Sequence, residues 1–323
     1  MSSSFELRRL RYFVKVAESG SLTRAAAALH VAQPALSQQI RLLESELGME
    51  VFERGPRGVR PTEVGKRLLV EARRLLDEVG SITERIRDPG DPEGQVVLGV
   101  GQSIGSMLMA PLLERAAERL PRVHIQVREL LGGLLQDLIR SGGIDFALSL
   151  NTVNCEGVRS LPVLSEEMCL VGQRRLVERH LGRTAPGDFP FQDLDGLPLY
   201  LSRQGQLVRD TIDNTAKSRG VSINLLAEVD SLHILKELAL SGSGCCVLSL
   251  SSMRREREDH DLFIGRISAP VIRRNVYLVQ RRSMSRAALE VLALSVDVLA
   301  RMVADGTWRG TLKASPDDIR KLL

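Results

Sequence analysis

Two short helices joined by a tight turn are the sequence feature that most constrains the fold. Ser21 is placed to cap an alanine-rich helix that runs through Leu29, because its hydroxyl can accept from an unpaired N–H group of the first turn. The turn His30-Val31-Ala32 follows. The next helix runs to about Leu47, and Pro34 lies in its first turn, where proline is favoured. This pattern predicts a helix-turn-helix.

A β-hairpin is predicted directly after these helices. Met49–Phe52 is apolar, Arg54-Gly55-Pro56-Arg57-Gly58 has the glycine and proline content of a turn, and Val59-Arg60 resumes an extended pattern. Because the tip carries arginines, the hairpin is interpreted as a wing beside the helix-turn-helix.

A long helix is predicted over residues 63–87, with Thr62 placed to cap it. Its apolar residues follow a heptad pattern, which is typical of a coiled coil between two chains. These residues are Leu68, Ala72, Leu75, Val79, Ile82 and Ile86. The alternative is a helix packed on its own domain. Residues 88–94, rich in proline, glycine and acidic side chains, predict a hinge linker.

The net charge is unevenly distributed along the chain. Residues 1–87 carry 15 Lys and Arg against 11 Asp and Glu, whereas residues 88–323 carry 29 of each. The whole formal charge of +4 therefore lies in the first quarter of the sequence, where a polyanion such as DNA would be attracted.

Several classes of protein find no support in the sequence. No apolar run is long enough for a membrane span and residues 1–10 lack a signal peptide, which predicts a cytoplasmic protein. The five histidines show no metal-ligand spacing, and no nucleophile motif is present, so neither a metal nor catalysis is expected. The four cysteines are interpreted as small buried side chains, with a redox sensor as the alternative.

Strands and helices alternate after the linker, which predicts an α/β domain with a largely parallel sheet. The predicted strands are Val96–Val100, Val123–Glu129, Phe146–Leu150, Cys169–Gly172, Pro198–Leu201, Cys245–Leu248 and Asn275–Gln280. The predicted helices are Ile104–Leu120, Leu131–Ser141, Gly205–Arg219, Ser231–Ser241 and Arg286–Ala304. No structure is predicted for the residues after Asp305, where apolar content is low.

Residues 7–67 resemble the DNA-binding head of LysR-type transcriptional regulators, most closely the branch that includes nitrogen-assimilation control regulators. The resemblance rests on the runs Leu10-Arg11-Tyr12-Phe13-Val14, Gly20-Ser21-Leu22-Thr23-Arg24-Ala25-Ala26, Gln33-Pro34-Ala35-Leu36-Ser37-Gln38-Gln39-Ile40, Leu43-Glu44, Leu47-Gly48, Phe52-Glu53-Arg54 and Pro61-Thr62-Glu63-Val64-Gly65.

The resemblance, looser up to about residue 300, implies an N-terminal all-α winged helix-turn-helix with a long linker helix. It also implies a C-terminal α/β effector domain of two lobes, similar to type-2 periplasmic binding proteins, with crossovers near Leu164 and Ile267. The expected divisions are a head over 1–61, a dimerising linker helix over 62–87, a hinge over 88–94, an effector domain over 95–300 and a tail over 301–323. Lobe I is expected over about 95–164 and 268–300, and lobe II over about 165–267.

The second helix of the helix-turn-helix is predicted to read promoter DNA in the major groove, the only groove with a distinct pattern for each base pair. Amides and guanidinium groups suit base edges, and a hydroxyl suits a phosphate or a base. The predicted exposed face holds Gln33, Ser37, Gln38 and Arg41, while Ala35, Leu36, Ile40 and Leu43 are predicted to face inward. In the family, positions matching Gln33, Pro34, Ser37 and Gln38 contact DNA. The wing residues Arg54 and Arg57, and more weakly Arg60, suit phosphates or the minor groove.

A glycine-rich turn, Gly99-x-Gly101-x-x-x-Gly105, follows the first strand of the α/β domain and opens a helix. It is close to a dinucleotide fingerprint, so a nicotinamide-dependent oxidoreductase fused to a DNA-binding head is one alternative. The family resemblance instead places Gln102 and Ser103 at a helix N-terminus that favours a small polar or anionic effector. The third interpretation is a plain structural turn that binds no ligand.

The resemblance also implies effector contacts at two further loops. One holds Gly132, where relatives often have Ser or Thr, and the other holds Ser202, Arg203 and Gln204. Arg203 either pairs with an acidic group or is a solvated loop arginine. The resulting prediction is a transcriptional activator or repressor without cofactor or enzyme activity, acting as a homo-oligomer, dimeric through the linker helix and tetrameric by resemblance.

Overall fold

The structure, a computed structural model, describes residues 6–55, 58–86, 91–130, 134–185, 187–253, 256 and 260–320. The head consists of helices α1 (Leu7–Ser19), α2 (Leu22–Ala28) and α3 (Gln33–Leu47), then strands β1 (Phe52–Gly55) and β2 (Gly58–Pro61), then helix α4 (Glu63–Ile86). Strands β1 and β2 pair antiparallel and form the predicted hairpin.

The head is closed around a small core to which all three short helices contribute. Phe13 of α1 and Ile40 of α3 are fully buried, and the ring of Phe52 packs against Phe13 with 5.1 Å between ring centroids. The first hairpin strand begins at Phe52 and not at Met49 as predicted. The reason is that the Glu44 carboxylate accepts from the N–H groups of Val51 (3.1 Å) and Phe52 (3.4 Å), which holds this segment on α3.

Helix α4 begins as predicted, because the N–H of Gly65 donates to the Thr62 hydroxyl at 3.0 Å. The early part of the heptad stripe packs on its own head: Ala72 is buried and Leu68 is partly buried against the same core. Leu75, by contrast, is 50% exposed. The side chains of Ile82 and Ile86 lie outside the described residues.

The C-terminal domain has two lobes. Lobe I begins with β3 (Gly94–Gly101), α5 (Gln102–Arg119), β4 (Val123–Leu130), α6 (Leu135–Arg140) and β5 (Phe146–Ser149). Lobe II contains α7 (Arg174–Leu181), β7 (Asp188–Pro190), β8 (Pro198–Leu201), α8 (Leu207–Arg219), β9 (Asn224–Glu228), α9 (Leu232–Ser241), β10 (Cys245–Ser249) and β11 (Leu262–Ser268). The chain returns to lobe I with β12 (Arg273–Arg281), α10 (Arg286–Ala304), β13 (Thr311–Leu312) and α11 (Pro316–Arg320).

A single long strand, β6 (Val158–Gln173), belongs to both lobes. Its first part pairs with β12 of lobe I, and its last part pairs with β10 and β11 of lobe II. The strand order is β4-β3-β5-β12-β6-β10-β8-β9, with β3 parallel to both β4 and β5 as predicted for a βαβαβ unit. The lobes are thus joined by β6 and by the short segment between β11 and β12.

The residues after 300 differ from the tail that was predicted. Helix α10 continues to Ala304, Trp308 is 1% exposed in the core of lobe I, and Ile319 is buried in the same core. A boundary at 300 would cut this helix and remove Trp308 from the domain. None of the helices in the described part of the chain is long and apolar enough to cross a membrane.

Candidate DNA-binding surface and effector cleft

Helix α3 presents a polar face to solvent while its apolar face holds the head together. Gln33, Pro34, Gln38 and Arg41 are exposed. Ser37 is buried, with 9% of its surface exposed, whereas Ala35 is exposed although the sequence predicted that it faces inward. The buried face of α3 therefore includes Ser37 in place of Ala35. Ser37 lies beside Leu36 and three residues before Ile40.

The wing is anchored to the turn between α1 and α2. The N–H of Val59 donates to the carbonyl of Gly20 at 3.0 Å, and a Cβ on Gly58 would lie only 2.4 Å from that same oxygen. Gly58 also has a φ of +113°, so glycine is required here by both conformation and space. Arg60 is exposed on β2. Arg57 and the side chain of Arg54 lie outside the described residues.

A cleft of about 540 Å³ lies between the lobes. It is bordered by the N-terminus of α5, by the strand ends β5, β8 and β10, and by α8 and α9. Gln102, Ser103, Ser202 and Arg203 of the predicted set line it. Gln204 does not: it is exposed and lies outside the cleft lining, although Gln206 of the same loop and Leu207 at the start of α8 line the cleft. Gly132 lies outside the described residues.

Ser103 lines the cleft without capping its helix. The N-cap residue of α5 is Gly101, and no side chain caps this helix. The first N–H groups of α5 consequently have no intrahelical partner, and the helix dipole adds a partial positive charge at this end. The Ser103 hydroxyl and these N–H groups form a polar corner of the cleft that suits an anionic or carbonyl group.

Gln102 makes a hydrogen bond across the cleft. Its Oε1 accepts from the N–H of Leu232, the first residue of α9 in lobe II, at 2.7 Å. On the same side, Arg203 lies 3.1 Å from Asp230, and both side chains are about half exposed, so this arginine is paired within the chain and also solvated. The loop is held further by Arg209, which donates to the carbonyl of Ser202 at 3.0 Å.

A buried ion pair at the floor of the cleft was missed by the sequence interpretation. Arg274 lines the cleft and is 7% exposed, and Glu166 is 1% exposed. Arg274 Nε donates to Glu166 at 2.8 Å and its Nη2 donates to the Ser249 hydroxyl at 2.9 Å. The indole N–H of Trp308 donates to the other Glu166 oxygen at 2.7 Å. The carboxylate thus joins β12 to the C-terminal segment, and lobe II reaches the same cluster through the contact of Ser249 with Arg274.

Close packing explains the glycines of the turn that suggested a dinucleotide site. A Cβ on Gly99 would lie 2.9 Å from Ile144 Cδ1, and one on Gly105 would lie 3.2 Å from Val100 Cγ1. These glycines thus allow close packing around β3, and this role requires no bound nucleotide.

The redox alternative is disfavoured by the environment of the adjacent cysteines. Burial raises the pKa of the Cys245 and Cys246 thiols to about 12, so neither forms the reactive thiolate near neutral pH. Among the described residues no group of three His, Cys, Asp or Glu side chains is arranged to hold a metal ion.

Two sequence families match the chain. Residues 7–66 match the family described as bacterial regulatory helix-turn-helix protein, lysR family, and residues 89–300 match the LysR substrate binding domain. The chain belongs to the LysR family. It is a LysR-type transcriptional regulator with a DNA-binding head and an effector-binding domain, which confirms the family and function predicted from the sequence.

Relatives of this LysR regulator match it over most of its length, and the solved structures have a similar fold. It is 33% identical to the nitrogen assimilation regulatory protein nac of Klebsiella aerogenes, over 91% of this chain and 95% of that protein. It is similar in structure to a full-length OxyR variant from Pseudomonas aeruginosa, with a TM-score of 0.76 and 24% identity over 91% of this chain and 94% of that one. It is also similar to full-length CbnR complexed with its target DNA, with a TM-score of 0.59 and 21% identity over 92% of this chain and 99% of that one. The two solved structures support the predicted two-part fold.

Proposed function

We propose that this LysR regulator reads promoter DNA through α3 and its wing, and that a small polar or anionic effector bound in the cleft changes its activity. The observation that carries the DNA-binding part is the exposed row Gln33, Gln38 and Arg41, because these side chains can pair with base edges and are backed by a rigid core. Ser37, being mostly covered, is assigned a backbone-phosphate contact at most. Arg54 and Arg57 are assigned to phosphates.

The polar corner at Ser103 supports the effector part of the proposal. It combines a hydroxyl with unpaired N–H groups, and Gln102 and the Arg274 guanidinium line the same cavity. An anionic or strongly polar ligand would be favoured there by hydrogen bonding and by charge. Its binding would compete with the Gln102 contact to α9 and so alter the position of one lobe relative to the other.

The helix α4 supports a homodimer as the DNA-binding unit, since Leu75 exposes half of its surface on the predicted heptad stripe. The family resemblance extends this expectation to a tetramer. A target of chromosomal DNA fits the cytoplasmic location predicted from the sequence. The proposed role needs no catalytic step and no cofactor.

Two single substitutions should separate DNA reading from effector response. We expect Gln38→Ala to weaken binding to the cognate promoter by about 1–3 kcal/mol relative to scrambled duplex, because a base contact is lost. We expect Ser103→Ala to leave promoter affinity unchanged but to abolish induction of a reporter that carries the promoter. Gln204→Ala, exposed and outside the cleft, is the matched control for both.

Promoters for these measurements come from genome-wide mapping of the sites that the regulator occupies. Equal losses on cognate and scrambled DNA for Gln38→Ala would contradict its base-reading role. Normal induction with folded Ser103→Ala would contradict the effector site, and the melting temperature shows whether the variant is folded.

A further inference from the structure

A second cavity lies on the face of β6 opposite the cleft. Met168 lines the cleft, whereas its neighbours Glu167 and Cys169 line the second cavity, of about 750 Å³. Successive side chains of a strand point to opposite faces, so the two cavities are separated by the strand itself. We name the second cavity the hinge groove and define it by Glu167, Arg174, Asp188, His260, Arg266 and Arg309.

The walls of the hinge groove come from different parts of the effector domain. Arg174 and β11 belong to lobe II, while the segment Arg309–Thr311 is part of the C-terminal extension that packs on lobe I. This segment is held closely: a Cβ on Gly310 would lie 2.8 Å from Leu164 Cδ1, and Thr311 pairs with Ser165 of β6. Arg309 is therefore fixed at the edge of the groove, between a buried tryptophan and a paired strand.

The acidic side chains of the groove are already neutralised. Arg266 donates to both oxygens of Asp188, at 2.9 and 2.7 Å, and lies 3.4 Å from Glu167. Arg273 makes a further ion pair with Glu167 at 2.7 Å. The hydrogen bonds from Arg266 hold the pKa of Asp188 below its usual value, so this carboxylate stays ionised and paired.

Two arginines of the groove are not neutralised in this way. Within the described part of the chain, neither Arg174 nor Arg309 has a carboxylate within ion-pair distance. Arg174 lies over the ring of Phe263, 5.8 Å from its centroid, and makes one long contact of 3.5 Å to the carbonyl of His260. Counted over the described residues, the groove thus has positive charge in excess on both of its walls.

We propose that the hinge groove binds a small dianion, either a phosphoryl group or a dicarboxylate, between Arg174 of lobe II and Arg309 of the C-terminal segment. A guanidinium presents a planar fork of donors that matches carboxylate and phosphate oxygens. A ligand held from both walls stabilises one arrangement of the lobes, so the site is a second regulatory input, separate from the cleft around Ser103.

The chain provides its own reporter for this site. Trp308 is the single tryptophan of the sequence, and it directly precedes Arg309. Binding can be measured on the full-length protein by calorimetry and by tryptophan emission, at pH 8, where inorganic phosphate is mostly a dianion. The probes are inorganic phosphate and succinate, with chloride used to keep the ionic strength constant.

We expect saturable binding of at least one of these anions with a Kd of about 1 mM or tighter, and a change in Trp308 emission. Arg174→Gln and Arg309→Gln should each weaken binding roughly tenfold, because each removes a charged hydrogen-bond donor. The control variant Arg219→Gln, at an exposed position of α8, should bind as the wild type does, whereas Ser103→Ala tests whether the anion binds in the cleft instead. Binding of phosphate alone or of succinate alone assigns the chemical class of the ligand.

Three results would overturn the proposal. The first is the absence of saturable binding of either anion up to about ten times that Kd. The second is binding that is unaffected in both Arg174→Gln and Arg309→Gln. The third is binding lost in Ser103→Ala, which would place the anion in the cleft. Since Arg174 and Arg309 each keep part of their surface in solvent, melting curves are expected to show both variants folded.

Discussion

The buried ion pair between Glu166 and Arg274 joins β6 to β12 and contacts lobe II through Ser249, and we expect Glu166→Ala to destabilise the effector domain strongly. The carboxylate is 1% exposed and accepts from Arg274 (2.8 Å) and from the Trp308 indole (2.7 Å). Its removal leaves the Arg274 guanidinium, 7% exposed, with the Ser249 hydroxyl as its remaining side-chain partner among the described residues. The variant therefore keeps a buried positive charge without its counter-charge.

The magnitude follows from burial. Removing one partner of a buried ion pair costs about 3–5 kcal/mol, and the lost indole hydrogen bond adds about 1 kcal/mol. Glu167 is the matched control, since it is the next residue on the same strand but 35% exposed, with partners Arg266 and Arg273 that are 42% and 59% exposed. Exposed pairs contribute about 0–1 kcal/mol each, so Glu167→Ala should cost far less.

The assay is urea denaturation of the full-length protein, followed by tryptophan emission. Trp308 lies in the core of lobe I, so its emission reports unfolding of that lobe even where the head unfolds separately. A loss of stability for Glu166→Ala within about 1 kcal/mol of that for Glu167→Ala would refute the reasoning, because the buried pair would then be no stronger than an exposed one.

Two further predictions concern the linker helix and the cysteines. Leu75→Asp should convert the proposed dimer to monomers in sedimentation, because an unpaired charge in an apolar seam is strongly disfavoured. Unchanged sedimentation would indicate that α4 packs only within its own chain. Iodoacetamide at pH 8 should modify only Cys155 in the folded protein, since a pKa of about 12 leaves roughly 10⁻⁴ of each adjacent thiol ionised. Modification of Cys245 or Cys246 in the folded state would restore the redox-sensing hypothesis.

Local sequence signals predicted the helices and the hairpin of the head and the βαβαβ order at the start of lobe I. Pro34 and Thr62 mark the starts of α3 and α4 through the chemistry of a helix N-terminus, which involves only neighbouring residues. Strand β6 was largely missed by these local signals, since only Cys169–Gly172 of its 16 residues was predicted. The earlier part contains Pro162 and Glu166, which interrupt an apolar strand pattern.

The burial of Glu166, Arg274 and Trp308 could not be predicted, because it depends on residues that are far apart in the sequence. Glu166 is tolerated inside the domain because Arg274, 108 residues later, supplies the opposite charge. Nothing in the local sequence distinguishes the buried Arg274 from the exposed Arg273 beside it, apart from the alternation of strand faces. A single tryptophan in a polar tail likewise produces no periodicity, although Trp308 is among the largest fully buried side chains.

The last prediction concerns Arg73, which joins the head to lobe I. Its Nη2 donates to Glu18 of α1 at 3.0 Å, and its Nη1 donates to the carbonyl of Ser141 at 3.1 Å, at the end of α6. Gly142 has a φ of +67°, and a Cβ added there would lie 3.6 Å from Arg73 Cβ. The other end of α6 lines the cleft with Leu135, so cleft and head are physically contiguous through this helix.

We expect Arg73→Ala to loosen the end of α6. The two lost contacts are partly exposed and contribute about 1–1.5 kcal/mol together, which corresponds to roughly tenfold faster hydrogen exchange at the amides of Gly142 and Gly143, bonded to Ile139 and Leu138 in the native state. Arg67→Ala, an exposed arginine on the same helix, should leave this exchange unchanged. Equal protection in both variants would mean that the head and lobe I are not coupled through Arg73, and that an effector in the cleft must reach the DNA-binding helices by another contact.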